Sequence, residues 1–342
     1  MIRTARRAPG AVLALLVCPA PGFAHHAFAG VYEMDALTEI QGEVTEVLWR
    51  NPHVRFSVRT PGGAVWDVET NSVSIIQRMD VSAELLNVGD TIRVAGFPER
   101  RGRTAMWTNN ILLADGRELV TRPGVEPHWL DEALGSSDVW LAGGTDARGT
   151  AAESRGIFRV WSTDFNGVGR SLFRGNYPLT DAAAALRAAY DPVRDNPTPG
   201  CTPKGMPWIM SQPYPMELAR VGEHIELRIE EFDLVRVIDM RGDATTDAPP
   251  TLLGHSAGRW EGEVLVVETR NISWRFFDSR GTRHSEALEL LERFALSEDG
   301  SELNYTLTAT DPATFTEPVT LDKQWVWRPG EVVRPFECAA EA

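Results

Sequence analysis

The sequence predicts an all-β protein in which a small OB-like barrel is followed by a larger, lipocalin-like antiparallel β-barrel or sandwich. Short segments with alternating apolar and polar residues recur along most of the chain and are separated by turns rich in glycine and proline. Helices are predicted only at residues 73–86 and 181–190. The 342 residues are 43% hydrophobic, which supplies enough apolar material for two cores.

Residues 1–24 are predicted to be a signal peptide that is not part of the fold. Basic residues come first, and the apolar run at 11–17 is too short to span a bilayer. A small-x-small cleavage pattern ends at Ala24, so cleavage would make His25 the new amino terminus. Such a leader directs export, so we expect the protein in the periplasm. The alternative is lipidation of Cys18, although Val17 is a poor residue before a lipidated cysteine.

The charge of the chain limits the classes of partner. The formal net charge is −14, and removing the three arginines of the leader lowers it to −17. Such acidity argues against nucleic acid or an anionic membrane surface as a partner. The mature chain contains no long apolar run, so we expect no membrane insertion.

Two cysteines, Cys201 and Cys338, remain after the leader. In an oxidising compartment they are expected to pair, which would tie the start of the second domain to its end. The alternatives are two free thiols or a pair of ligands for a soft metal.

The first domain is predicted to span residues 25–119. Strands and one helix are predicted from segments 37–47, 54–59, 65–69, 73–86, 91–96, 105–107 and 111–113. Five or six short strands and one helix in fewer than 100 residues are typical of a small closed barrel of the OB type.

Three motifs of this domain carry a resemblance. HHAF at 25–28, NPH at 51–53 and the Gly89-Asp90 turn resemble a domain-of-unknown-function family of small exported bacterial proteins. The resemblance implies export and a small domain, and it implies no activity.

The same histidines predict a metal site. An amino-terminal histidine offers its α-amine and its imidazole to one ion, and a further imidazole completes a three-nitrogen set that Cu(II) favours. We therefore expect copper to be held by His25 with His53 or His26. The alternative is that the first two are part of a disordered terminus and that His53 hydrogen-bonds a neighbouring strand.

Residues 120–155 are predicted to be an irregular linker, and residues 156–342 a second domain. Strands are predicted at 156–162, 224–230, 235–240, 258–260, 264–269, 288–296, 303–309 and 321–328, with a helix at 181–190. The segment at 286–294 also fits a helix, but its neighbours favour a strand. The proline-rich segment 196–207 is predicted to be extended.

A second resemblance covers this domain. CTPKGMP at 201–207, GHS at 254–256, GRWEGE at 258–263, HSE at 284–286 and ERF at 292–294 resemble a second, uncharacterised group of exported bacterial proteins. This resemblance implies an architecture and no reaction.

Aromatic residues are abundant in the second domain, and some are expected to line a cavity for a small apolar molecule. The candidates are Trp208, Tyr214, Trp260 and Trp325. The leading prediction is a periplasmic binding protein for such a molecule. Packing within the core is the alternative role for each ring.

The second hypothesis is an acid–base enzyme of the isomerase, cyclase or hydratase/lyase type. Histidines beside carboxylates can transfer protons near neutral pH. The chain contains two His-Ser pairs, His255-Ser256 and His284-Ser285, and each lies just outside an apolar run. We therefore expect both pairs near strand ends around one barrel mouth. The candidate catalytic residues are His255, His284, Glu286, Glu261, Arg259 and Asp311. Structural ion pairs and turn contacts are the alternative for these charged groups.

Overall fold

The computed structural model describes residues 30–135, 156–165, 172–198, 201–242 and 248–339. These residues form two closed β-barrels, a small one followed by a large one. The predicted all-β fold is therefore confirmed, and the second domain is a barrel rather than a sandwich. The predicted leader and cleavage site, together with Cys18, His25 and His26, lie outside the described residues.

The small barrel contains β1 to β5, and β6 extends its sheet. The elements are β1 (Thr38–Leu48), β2 (Arg55–Arg59), β3 (Val65–Glu69), α1 (Val73–Arg78), β4 (Thr91–Pro98), β5 (Ala105–Leu112) and β6 (Glu118–Val120). The hydrogen-bonded order β3-β2-β1-β4-β5 closes through pairing of β3 with β5, which is the arrangement expected of an OB-like barrel.

Local features explain how this barrel curves. β1 pairs with both β2 and β4, and a bulge between Val44 and Glu46 bends it. At Gly42 a side chain is impossible, because a Cβ atom would lie 2.1 Å from the carbonyl oxygen of Arg59. The predicted helix at 73–86 is shorter in the structure: α1 ends at Arg78, and Asp80 then takes a positive φ of 59°.

The large barrel contains nine strands. They are β7 (Val160–Thr163), β8 (Met216–Val221), β9 (His224–Ile229), β10 (Leu234–Asp239), β11 (His255–Glu261), β12 (Val264–Arg270), β13 (Glu289–Leu296), β14 (Glu302–Thr310) and β15 (Val319–Trp327). Helix α2 (Asp181–Ala188) is capped by the Thr180 hydroxyl, as the sequence predicts. The segment at 286–294 contributes to a strand, and β8 is a strand that sequence patterning did not indicate.

Both barrels have an odd number of strands, and this fixes one feature of each. Strands cannot alternate in direction all the way around a ring of odd number, so one neighbouring pair must be parallel. In the small barrel this pair is β3–β5, and in the large barrel it is β10–β11. The other ring pairings are antiparallel.

The interior of the large barrel is filled by the chain itself. A 3-10 helix at Trp208–Ser211 packs its buried side chains into the barrel's core cluster. From β15, the Lys323 amine donates to the carbonyl oxygens of Met210 (3.1 Å) and Gln212 (2.8 Å). This lysine therefore holds the carboxyl end of the inserted helix against the barrel wall.

The two barrels are joined through their interface and the carboxyl-terminal segment. Phe336 packs in the core cluster of the small barrel, as does Tyr214 from the large one. The guanidinium of Arg78 donates to both carboxylate oxygens of Glu230, at 2.6 and 2.7 Å, and both side chains are buried. The predicted disulfide joins Cys201 to Cys338, which anchors the carboxyl-terminal segment beside this interface.

Among the residues that the structure describes, no helix combines the length and the apolar character needed to cross a membrane.

The buried amine of Lys323 predicts a pH-dependent stability. Burial lowers the pKa of Lys323 to about 7, and a neutral amine has two N–H groups, which match its two carbonyl acceptors. The unfolded chain keeps its proton up to a pKa of about 10.4, so unfolding below that pH takes up a proton. The free energy of unfolding should therefore rise between pH 7 and 10 by up to about 1.4 kcal/mol per unit from this group.

The measurement is urea unfolding of the wild type and of Lys323→Met at several pH values. The difference between the two proteins should change across this range, because methionine does not titrate. Parallel stability curves would contradict a neutral lysine.

Candidate functional site

The candidate site lies at the parallel junction of the large barrel. β10 and β11 form only two residue pairs, Ile238 with Ser256 and Asp239 with Ala257. Before those pairs the two strands diverge, and a cleft of about 530 Å³ opens between residues 234–239 and 251–256. We call it the β10–β11 cleft. Its volume lies within the range of small-molecule sites in proteins.

The wall of the cleft is apolar for an unusual reason. Along β10, Arg236 and Ile238 point into the barrel and are buried, so Val235 and Val237 point outward. These two valines are 48% and 51% exposed, and both line the cleft. Leu252 and Leu253 line it as well. An arginine inside a barrel and two valines outside it reverse the usual preference.

A buried hydrogen-bond network fixes this reversed strand, and we call it the Arg236 network. The Arg236 guanidinium donates to Ser256 Oγ on β11 (3.0 Å), to Thr269 Oγ1 on β12 (2.6 Å) and to both oxygens of Glu292 on β13, one at 2.9 Å. From β14, the Tyr305 hydroxyl donates to Glu292 at 2.8 Å. Arg236 is 1% exposed and Glu292 is fully buried.

The network compensates for the short ladder at the junction. It connects five consecutive strands, β10 to β14, where the backbone supplies only two residue pairs. Isolated charges in an apolar interior are very costly, so the pair is stable only because its polar atoms are satisfied. The network therefore cross-links the inner wall beside the cleft.

Sequence patterning missed Arg236 and Glu292. Each face of Leu234-Val235-Arg236-Val237-Ile238 carries two apolar residues, so alternation alone does not show which face points inward. The available signal was Glu292, which shares the inward register of Leu290 and Phe294 on β13.

His255 lies at the margin of the β10–β11 cleft. It begins β11, and its Nε2 donates to the carbonyl oxygen of Pro249 at 2.8 Å. In the described part of the chain no hydrogen bond or ion pair connects its ring to a carboxylate or to His284.

Arg259 and Glu261 lie on the outer face of β11. Arg259 pairs with Glu261 and Glu268, and Glu261 also accepts from Arg293, all with exposed side chains. Hydrogen bonds from Arg293 and Arg259 lower the pKa of Glu261. These contacts form a surface ion-pair network away from the barrel interior.

His284 and Asp311 are buried in the loop that joins β12 to β13 and in the loop after β14. His284 is 5% exposed, its Nδ1 donates to Ser285 O at 2.8 Å, and burial lowers its pKa. Burial raises the pKa of Asp311, but hydrogen bonds from Ser285 and Thr314 lower it more. Glu286 is exposed and pairs with Arg275.

The four aromatic candidates are placed differently from one another. Trp325, Tyr214 and Trp208 are 0%, 5% and 7% exposed and pack in hydrophobic cores, while Trp260 is 38% exposed and stacks edge-on against Phe158. None of the four lines the β10–β11 cleft.

His53 is oriented by a carboxylate on the small barrel. Its Nδ1 contacts Glu69, and the Tyr32 hydroxyl donates to the other oxygen of Glu69 at 2.7 Å. Burial raises the pKa of Glu69, but His53, Tyr32 and Arg55 lower it to about 2, so the carboxylate is charged at neutral pH. Because Nδ1 is occupied, Nε2 is the ring nitrogen left for a ligand.

Metal-binding clusters were sought in the described ranges alone, and no group of three or more histidine, cysteine, aspartate or glutamate residues there is placed to hold an ion. His25 and His26 lie outside those ranges. The contribution of these two residues to a copper site stays a prediction.

Comparisons with known proteins identify one family. Residues 13–107 match the model of a family of unknown function, DUF6152, which supports an uncharacterised domain at the amino-terminal end of the chain. No curated protein matches the sequence. The resemblance of the second domain to another exported group stays a prediction.

One matching solved structure is that of the ZRD-deleted mutant of TiaS in complex with agmatine. The identity is 15%, the match covers 25% of this chain and 26% of that one, and the TM-score is 0.21. The chain thus spans about a quarter of that structure's length. A TM-score this low supports no inference about fold or function.

The buried and exposed arginines of the large barrel predict contrasting costs. Arg236→Met leaves Glu292 buried without its counter-charge and should lower the free energy of unfolding by about 3–5 kcal/mol. Arg259→Met removes ion pairs of a half-exposed side chain and should cost less than about 1 kcal/mol.

Urea unfolding of both variants measures the difference. The double variant Arg236→Met/Glu292→Leu should recover most of the loss, because it removes the unpaired charge as well. Equal costs for Arg236→Met and Arg259→Met would contradict the role given to the network.

Proposed function

We propose that the protein is a periplasmic binding protein for a small apolar molecule, which it binds in the β10–β11 cleft. The observation that carries the proposal is the outward orientation of Val235 and Val237. The Arg236 network maintains this orientation, and Ile238 is buried on the same inner face. An exposed apolar wall that the fold maintains at a cleft is typical of a binding surface.

The chemistry of the cleft supports a molecule with an apolar body and one polar end. The apolar body would lie against Val235, Val237 and the two leucines at 252–253. At the margin, the imidazole of His255 would provide a polar group that fixes its orientation. Export is proposed from the leader sequence, and the disulfide fits an oxidising compartment. The acidic chain makes nucleic acid an unsuitable partner.

The test uses the neutral apolar fluorophore N-phenyl-1-naphthylamine. The wild type should bind it, and the double variant Val235→Ser/Val237→Ser should bind about tenfold more weakly or worse, because two apolar contacts are lost. The matched control is Val65→Ser/Val88→Ser, which changes two valines of the small barrel that are 46% and 64% exposed. Fluorescence titration gives the affinities.

Two results would overturn the proposal. Wild-type protein that does not enhance the fluorescence has no apolar site of this kind. Equal affinities for the two double variants would place the fluorophore elsewhere on the surface. If the fluorophore binds in the cleft, mass spectrometry of small molecules that co-purify with the protein would identify the natural class of ligand.

A second candidate function is copper binding at the small barrel. The contact between His53 and Glu69 favours it, because metal-binding histidines usually donate their second nitrogen to a carboxylate. We propose that Nε2 of His53 joins the amine and imidazole of His25, or the ring of His26, around one Cu(II) ion. Nitrogen donors suit Cu(II) in a tetragonal arrangement.

Competition titration with Cu(II) tests this site on protein that begins at His25. Addition of one residue before His25 should weaken binding at least tenfold, because the α-amine is lost as a ligand, and His53→Ala should do the same. His224→Ala, on the large barrel, is the control and should leave the affinity unchanged. An affinity that neither change reduces would exclude this ligand set.

The acid–base enzyme stays a prediction of the sequence. In the described part of the chain His255 donates to the carbonyl oxygen of Pro249 and His284 to that of Ser285, and neither ring hydrogen-bonds a carboxylate. The geometry therefore supports a binding function better than a catalytic one.

A further inference from the structure

A second cluster of polar groups lies away from the β10–β11 cleft, between helix α2 and the hairpin at 275–284. Its centre is Tyr177, which is 8% exposed. The guanidinium carbons of Arg187 and Arg280 lie 5.7 and 4.6 Å from the centroid of this ring. Two cations are thus held against one aromatic side chain.

These two cations share a single compensating charge. Asp278 is fully buried and accepts from Arg280 Nε at 2.9 Å. Arg187, from α2, makes no hydrogen bond or ion pair with the residues that the structure describes. Burial lowers the pKa of Arg187, and the charge of Arg280 lowers it further. The cluster therefore carries an excess positive charge in an otherwise acidic protein.

The same cluster contains buried donors that lack a hydrogen bond of good geometry. The hydroxyl of Tyr177, Nη2 of Arg280 and Oγ1 of Thr282 are all buried without a hydrogen bond of good geometry, and the hydroxyl lies near both Arg280 and Asp278. Thr282 is fully buried, and its backbone N–H donates to Asp278 at 3.0 Å. Buried polar groups are nearly always satisfied, so several unsatisfied groups together indicate that a ligand or water completes them.

We propose that Arg187, Arg280 and Tyr177 form a binding site for a small oxyanion. Each of the three groups can donate, and an oxyanion accepts several hydrogen bonds while it neutralises the excess positive charge. The half-buried side chain of Arg187 provides the route from solvent. The inference is independent of the apolar ligand proposed for the cleft.

The probes are inorganic phosphate and acetate, tested at constant ionic strength with chloride as the balancing anion. Isothermal titration and thermal unfolding of the full mature chain should show saturable binding and a rise in melting temperature with the wild type. A stronger response to phosphate would identify a phosphate-like ligand, and a stronger response to acetate would identify a carboxylate.

Two variants test the residues. Arg187→Gln should weaken binding by about tenfold or more, because one charged donor is lost. Arg194→Gln is the matched control, since Arg194 is exposed and pairs only with its neighbour Asp195. Apart from the Tyr177 ring, Arg187 has no hydrogen-bond or ion-pair partner among the described residues, so its replacement should leave the fold intact.

Tyr177→Phe separates a ligand role from a structural one. It keeps the ring between the arginines and removes only the hydroxyl, so it should reduce oxyanion affinity without lowering the melting temperature of the free protein. The proposal is overturned if neither probe exceeds the response to chloride, which would make water the occupant. It is also overturned if Arg187→Gln and Arg194→Gln respond alike.

Discussion

The Arg236 network is the interaction on which the large barrel depends. A ring of nine strands must contain one parallel junction, and that junction, β10–β11, has only two residue pairs. Few backbone hydrogen bonds therefore hold the ring closed at this point. A single guanidinium makes up the deficit because its planar fork can reach three further strands at once. The small barrel meets the same parity constraint at β3–β5, where three residue pairs form, and its core is completed by helix α1 instead.

The orientation of β10 follows from this choice. Once Arg236 points inward, the pleat of the strand forces Val235 and Val237 outward, because neighbouring side chains lie on opposite faces. The cleft and its apolar wall are therefore a consequence of how the barrel closes. Stability and the proposed binding surface reside in one strand, so a change that restored the usual orientation would remove both the network and the apolar wall.

Sequence patterning predicted what depends on local chemistry. The alternating segments, the Thr180 cap and the pairing of Cys201 with Cys338 follow from neighbouring residues or from composition, and the structure agrees with them. The reversed orientation of β10 could not be predicted, since it depends on Glu292, which is 56 positions away in sequence from Arg236. The strand patterns also could not show that a 3-10 helix packs inside the barrel, which explains why Trp208 and Trp325 pack in its core and do not line a cavity.

The divergence of β10 from β11 connects the proposed ligand to the barrel itself. Residues 234–237 have no ladder partner on the β11 side, whereas residues 238 and 239 do. A molecule held between β10 and residues 251–256 would contact both sides of this short junction, and so would add interactions where the ladder lacks them. Anything that binds the closed ring more tightly than the opened one stabilises it. Binding in the cleft would therefore also strengthen the ring's closure. Loss of the Arg236 network would in turn weaken binding, because Arg236 itself lines the cleft and its network holds Val235 and Val237 outward.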